Sequence, residues 1–143
     1  MGDETTVKVE LKQAYGMTLM AKGNSNHWVV MDTAKEIGGN DAGPRPMELM
    51  LMALAGCTGM DVISILEKMH VKYDDFRIEI TANKSSEHPK VYTKIFIKYR
   101  IWGEVSEDKL ISAIELSQVK YCSASAMIKK AAEITYDHEI IRK

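Results

Sequence analysis

The sequence predicts a mixed α+β fold, with antiparallel sheets around a long central buried helix. Three observations carry that reading. Short runs that alternate apolar and polar residues, separated by turn residues, open the chain and recur towards its end. One apolar stretch, "PMELMLMALAGCTGMDVISILEKM" at 46–69, reads as a helix. The order is three strands, a helix, two strands, two helical segments and a strand, which is the α+β arrangement.

Each element has its own signal. "TTVKVELK" at 5–12 alternates with Val7, Val9 and Leu11 on one face, a half-buried strand. "AYGM" at 14–17 reads as a turn, 17–22 as a second strand, "GNSN" at 23–26 as another turn and "HWVVMD" at 27–32 as a third strand. "TAKEIGGNDAGPRP" at 33–46 is a loop, and Pro46 suits the first position of the following helix, where its missing N–H costs nothing. That helix is apolar nearly all round before Cys57, so it must be covered on every side, either by a wrapping sheet or by a second copy of the chain. "FRIEITA" at 76–82 and the run 91–102 pair as a hairpin, with Val91, Thr93, Ile95, Ile97, Tyr99 and Ile101 on one face and Lys94, Lys98 and Arg100 on the other. Ser106 caps a helix whose first turn carries Glu107 and Asp108, matched to the positive end of its dipole. Leu110, Ile114, Ser117 and Tyr121 share a face. "YCSASAMIKKAAE" continues as a short helix or broken turn, and "EITYDHEII" at 133–141 is the last strand, with Ile134, Tyr136, His138 and Ile140 together.

The 143 residues are enough for one domain spanning 1–143, and 45% hydrophobic with 27% charged residues is ordinary for a soluble chain. A net charge of −1 gives no basic footprint for nucleic acid. No uninterrupted apolar run has membrane-spanning length, since Glu48, Asp61 and Glu67 break the 46–69 stretch. The polar start is not a signal peptide, so a cytoplasmic address is expected, where two cysteines do not form a permanent structural bridge. No metal or cofactor site is expected: the four histidines stand at no ligand spacing, there is no CxxC, and no Gly-rich loop has phosphate-binding spacing. His138, on the apolar face of a strand, reads as a hydrogen-bonded core residue.

The cysteines remain. A cysteine in an apolar helix is ordinarily inert packing. Cys57, however, is flanked by Gly56 and Gly59, each costing a helix interior about 1 kcal/mol relative to Ala, and Cys122 opens the small-residue run "CSASA". Core filler and a dithiol site are both open on this evidence.

"GPRPMELMLMALAGCTGMDVISIL" followed by "KYCSASAMIKKAAEITYDHEI" resembles the OsmC/Ohr family (osmotically inducible protein C and organic hydroperoxide resistance protein), and most of all its YhfA-like branch. The resemblance covers nearly the whole chain. It implies an intertwined homodimer with two central helices between curved sheets, and thiol peroxidase chemistry. Cys57 is then the peroxidatic thiolate and Cys122 the resolving thiol. The substrate is an organic hydroperoxide, and an external dithiol reductant, lipoyl in the characterised relatives, restores the thiols. The alternative within the same fold is a non-peroxidatic protein that binds a small apolar ligand or acts as a thiol redox sensor.

Two departures from the family pattern concern the groups that support the thiolate. The family's glutamate directly follows the proline; Met47 stands there, and Glu48 matches the next position. No arginine precedes Arg45, so the upstream arginine of the better-known relatives is absent. Arg45 and Glu48 are the candidate substitutes, against a plainer reading as a solvated loop end and a first-turn acid. Glu48 and Cys57 are separated by a helical rise of about 13 Å and roughly two and a half turns. Glu48 can therefore serve only the Cys57 of a second copy.

Overall fold

Three short antiparallel strands, β1 (Glu10–Tyr15), β2 (Thr18–Lys22) and β3 (Val29–Met31), form a sheet in that order. The computed structural model describes residues 2–143, which divide into two units at Met50/Leu51. Gly16, with φ +58°, makes the tight β1–β2 turn in a backbone region open to glycine. The first strand starts at Glu10 rather than Thr5, and Val7, Val9 and Leu11 are exposed rather than half-buried. Alternation determines which side chains share a face; it does not supply a cover for that face.

The loop after β3 is organised by Asp32, a buried carboxylate. It accepts from the Thr18 hydroxyl at 2.6 Å and from the backbone N–H groups of Thr33 (2.7 Å), Ala42 (3.1 Å) and Asn40 (3.3 Å). The Thr18 hydroxyl, helped by these N–H donors, holds its carboxyl down from 3.8 to about 2. A depressed folded-state pKa adds stability above the unfolded value near 3.9 and loses it as pH falls towards 2. Asp32→Asn is therefore expected to lower the thermal midpoint at neutral pH, with the gap to wild type closing between about pH 4 and pH 2. A gap independent of pH contradicts this role.

The second unit contains α1 from Leu51 onward, α1 as a whole running Pro46–Lys68. It also contains the strands β4 (Asp75–Lys84), β5 (Tyr92–Trp102) and β6 (Glu133–Ile141), in sheet order β4-β5-β6. β4 and β5 form the expected antiparallel hairpin. β6 runs parallel to β5, a correction to the all-antiparallel expectation. The reason is the connection: the helical segment 107–128 crosses over between the two strands, as a parallel pair requires. Ser106 caps α2 (Glu107–Leu116) as expected, its hydroxyl accepting from Lys109 N–H at 3.4 Å. The inward residues of β5, Ile95, Ile97, Tyr99 and Ile101, are fully buried with Leu54, Val62 and Leu66 of α1 and Leu110, Ala113 and Ile114 of α2. Each fully buried aliphatic side chain of this kind contributes about 1.5–3 kcal/mol.

The helix α2 does not continue as the sequence pattern suggests. Ser117–Tyr121 forms a π-turn, after which Cys122 is extended and α3 (Ser123–Ile128) begins. The wider turn rotates the following residues by part of a helical step. Ser117 stays buried while Tyr121, expected on the same face, is 51% exposed. His138 is hydrogen-bonded, with Nε2 2.9 Å from Glu107 Oε1, but it is half-buried rather than a core residue as the sequence suggests.

α1 is only partly covered. Leu54, Thr58, Gly59, Val62 and Leu66 are buried, while Met52, Met60 and Ile63 are exposed along the opposite face. The two glycines have different surroundings. A Cβ on Gly59 would lie 3.3 Å from Ile78 Cδ1, so Gly59 lets α1 approach β4; a Cβ on Gly56 would meet nothing within 4 Å. By length and composition alone the helix is apolar enough to cross a membrane, which the run-length reading did not anticipate. The core helix of a soluble protein has the same composition.

Candidate functional site

α1 brings Cys57, half-buried, against Cys122, which is buried at the start of α3. The two thiols are unlinked and are close enough for Cys57 to act on the Cys122 thiol. The π-turn makes this possible. It ends with Cys122 N–H donating to Ser117 C=O at 2.7 Å, and the extended backbone at Cys122 aims its side chain back as the cap of α3. There the sulfur accepts from Ser125 N–H at 3.3 Å.

Burial pushes the Cys122 thiol up from 9.0 to about 11, and the neighbouring Cys57 and the Asp61 carboxylate push the same way, against the Ser125 N–H. Cys122 is therefore a protonated thiol at neutral pH. A raised folded-state pKa adds stability below the unfolded value and loses it as pH rises towards 11. Reactivity follows thiolate character and access. Iodoacetamide is expected to label Cys57 first at pH 8, leaving Cys122 intact in the folded protein, as read by peptide mass mapping. Labelling of Cys122 first contradicts this arrangement.

A buried polar cluster surrounds the pair. Thr58 Oγ1 lies 2.6 Å from Tyr99 Oη and 2.7 Å from Ser117 Oγ. Ser117 donates to Asp61 Oδ2 at 2.9 Å. Gln118 Nε2 donates to Tyr99 Oη at 2.8 Å and to Thr58 Oγ1 at 3.2 Å, and Gln118 Oε1 accepts from Ser125 Oγ at 2.7 Å. Burial raises the Tyr99 pKa, so the phenol remains a donor. Among the described residues no buried side-chain polar atom lacks a partner. Asp61, one turn after Cys57, also lines a surface cleft of about 350 Å³ with Ile65, Lys68, Met69, Leu116 and Tyr121.

None of Thr58, Asp61, Tyr99, Ser117, Gln118 and Ser125 was singled out by sequence reasoning as a site residue. A signal existed for two of them: Thr58 adjoins Cys57, and Asp61 follows it by four positions, hence on the same helical face.

Arg45 and Glu48 lie in the N-terminal unit and meet each other. Glu48 Oε1 accepts from Arg45 N–H at 2.8 Å, the reach-back half of a capping box at the start of α1. Arg45 Nη1 pairs with Asp41 at 2.7 Å and donates to Gly43 C=O at 3.0 Å. The Asp41 carboxylate raises the arginine's pKa further. Both residues thus have local work at the helix entry.

An α+β unit with a long central helix carrying one cysteine, and a second cysteine brought to it by a crossover segment, defines the OsmC class of fold. The chain belongs to the OsmC-like protein family, whose model matches residues 38–137. It is 32% identical to protein YhfA of Escherichia coli K12 over 136 residues, 94% of this chain and 98% of that one. A hypothetical protein from Aquifex aeolicus VF5 superposes with a TM-score of 0.85 at 31% identity, covering 98% of this chain and 99% of the other. An organic hydroperoxide resistance protein from Elizabethkingia anophelis shares the fold, with a TM-score of 0.69 at 14% identity over 97% of this chain and 100% of that one.

Proposed function

We propose that the chain, acting as one OsmC-like domain over 1–143 and as a homodimer in the cytoplasm, reduces organic hydroperoxides at Cys57 and Cys122. The observation that carries the reading is the pairing of a half-buried Cys57 with a buried, protonated Cys122. In the first step the Cys57 thiolate attacks the terminal peroxide oxygen. The O–O bond breaks, the alkoxide takes a proton and leaves as the alcohol, and Cys57 becomes a sulfenic acid. In the second, Cys122 sulfur attacks Cys57 sulfur. The S–O bond breaks, and the departing hydroxide takes the Cys122 proton and leaves as water. The disulfide holds the two electrons' worth of oxidation until an external dithiol, lipoyl or a chemical equivalent, reduces it. No bound cofactor or metal takes part. The hydroperoxide resistance protein of the same fold supports the substrate class.

A homodimer is supported by the exposed apolar face of α1 and the exposed apolar side chains of the first strand region. In that dimer Glu48 and Arg45 of one copy are the groups that would support Cys57 of the other. One observation favours the second reading, a non-peroxidatic ligand-binding or redox-sensing protein: Arg45, the candidate cation for the thiolate, is already engaged by the Asp41 carboxylate at 2.7 Å and by Gly43 C=O at 3.0 Å.

The test is turnover. Reduced protein with cumene hydroperoxide and excess dihydrolipoamide is expected to consume many equivalents of peroxide per chain. Consumption no faster than dihydrolipoamide alone favours the second reading and overturns the first.

A further inference from the structure

The buried cluster behind the thiols has a direction, and it leads to one residue. As a carboxylate, Asp61 can only accept, so Ser117 gives its single hydroxyl hydrogen to Asp61. Thr58 must then donate to Ser117, and Tyr99 to Thr58. Tyr99 is left to accept, and Gln118 supplies that hydrogen, with its second N–H on Thr58. The amide oxygen faces the Ser125 hydroxyl. Every hydrogen in the chain is assigned, and Gln118 is its origin.

Gln118 therefore bridges the two cysteines' own supports. On one side it holds Ser125, whose N–H is the donor on Cys122 sulfur. On the other it holds Thr58, the neighbour of Cys57 in α1. Gln118 is 6% exposed, Thr58 and Ser117 are fully buried and Ser125 is 1% exposed. Apolar residues of the same shape would fill this space without the desolvation cost of the polar side chains. What the polar cluster provides instead is a fixed geometry across three elements and the π-turn.

We propose that Gln118 is the positioning residue for the resolving step: by tying Ser125 to Thr58 it holds Cys122 sulfur in line with Cys57, so that the sulfenic acid closes to the disulfide. This rests on the peroxidase reading and adds a residue to it. Gln118 touches neither sulfur in a reacting role. Its effect falls on the second step, after the alcohol has left.

The experiment separates the two steps. Reduced wild type, Gln118→Leu and Ser125→Ala are mixed with one equivalent of cumene hydroperoxide. The sulfenic acid is trapped at timed intervals with dimedone, and the disulfide is counted by mass mapping. Both variants are expected to form the sulfenic acid and to close it on the order of tenfold to a hundredfold more slowly, the scale of losing alignment. Ser125→Ala decides the matter if Gln118→Leu does not fold. A third variant, Gln118→Glu, adds a readout that a merely structural role would not move. The titratable groups around it are Cys57 and Asp61 on α1, Tyr99 on β5 and Cys122. The protonated carboxyl of the Gln118→Glu variant keeps one donor and one acceptor, whereas its anion keeps no donor. The closure rate of this variant relative to wild type is expected to fall as pH rises. Closure at the wild-type rate in a folded Gln118→Leu or Ser125→Ala protein overturns the proposal, as does a pH-independent ratio for Gln118→Glu. If wild type itself yields no trapped sulfenic acid and no disulfide, the peroxidase reading fails, which is a different result.

Discussion

Replacing Cys57 by serine is expected to abolish hydroperoxide reduction, a loss of several orders of magnitude that leaves only background reaction. A serine hydroxyl in the same place is a far weaker nucleophile and has no sulfenic acid to form. Cys122 cannot take over. It is buried, and burial with the nearby Asp61 holds it as a thiol up to about 11. Cys122→Ser gives a different outcome. Its Cys57 still reacts once, and the product stays at the sulfenic acid or proceeds to the sulfinic acid in excess peroxide. Stopped-flow peroxide consumption with intact-mass analysis distinguishes the two variants. Equal residual rates in Cys57→Ser and Cys122→Ser contradict the assigned roles.

The second large effect concerns assembly. Met60→Asp is expected to convert the proposed dimer into a monomer in sedimentation equilibrium. Met60 is 74% exposed on the outer face of α1, so its replacement leaves the core of one chain intact. In a symmetric dimer the carboxylate enters the apolar seam twice. An uncompensated buried charge costs about 3–5 kcal/mol, which weakens association by at least a hundredfold. The open space around Gly56 on the same helix allows close approach of a second backbone there. A Met60→Asp protein that remains dimeric, or a wild type monomeric at micromolar concentration, contradicts the seam.

Much of the fold was legible because its signals are local. The helix from Pro46, the cap at Ser106 and the strand 133–141 rest on a ring without an N–H, a hydroxyl and a two-residue alternation. The parallel pairing of β6 with β5 was not legible, because alternation carries no strand direction. The π-turn was not legible either, since its sequence, "SQVKY", continues the helical pattern of α2. That omission placed Tyr121 on the wrong face and hid the site's polar half. The cysteines stand out in the sequence by their residue type and by the family they resemble. Ser117, Gln118 and Tyr99 come together only through the crossover that brings 117–125 beside β5 and α1. Arg45 and Glu48 were sought as a pair for the thiol, and their observed contacts are those of a helix start.

The proposed cycle requires Cys57 and Cys122 to form one redox pair within a chain. Its most direct measurement is a titration of the reduced protein with cumene hydroperoxide, followed by mapping of every thiol. The expected result is one equivalent of alcohol per chain, loss of both thiols together, and an intrachain Cys57–Cys122 disulfide that dithiol reverses. Thiols that survive excess peroxide, or bridges only between chains, contradict it.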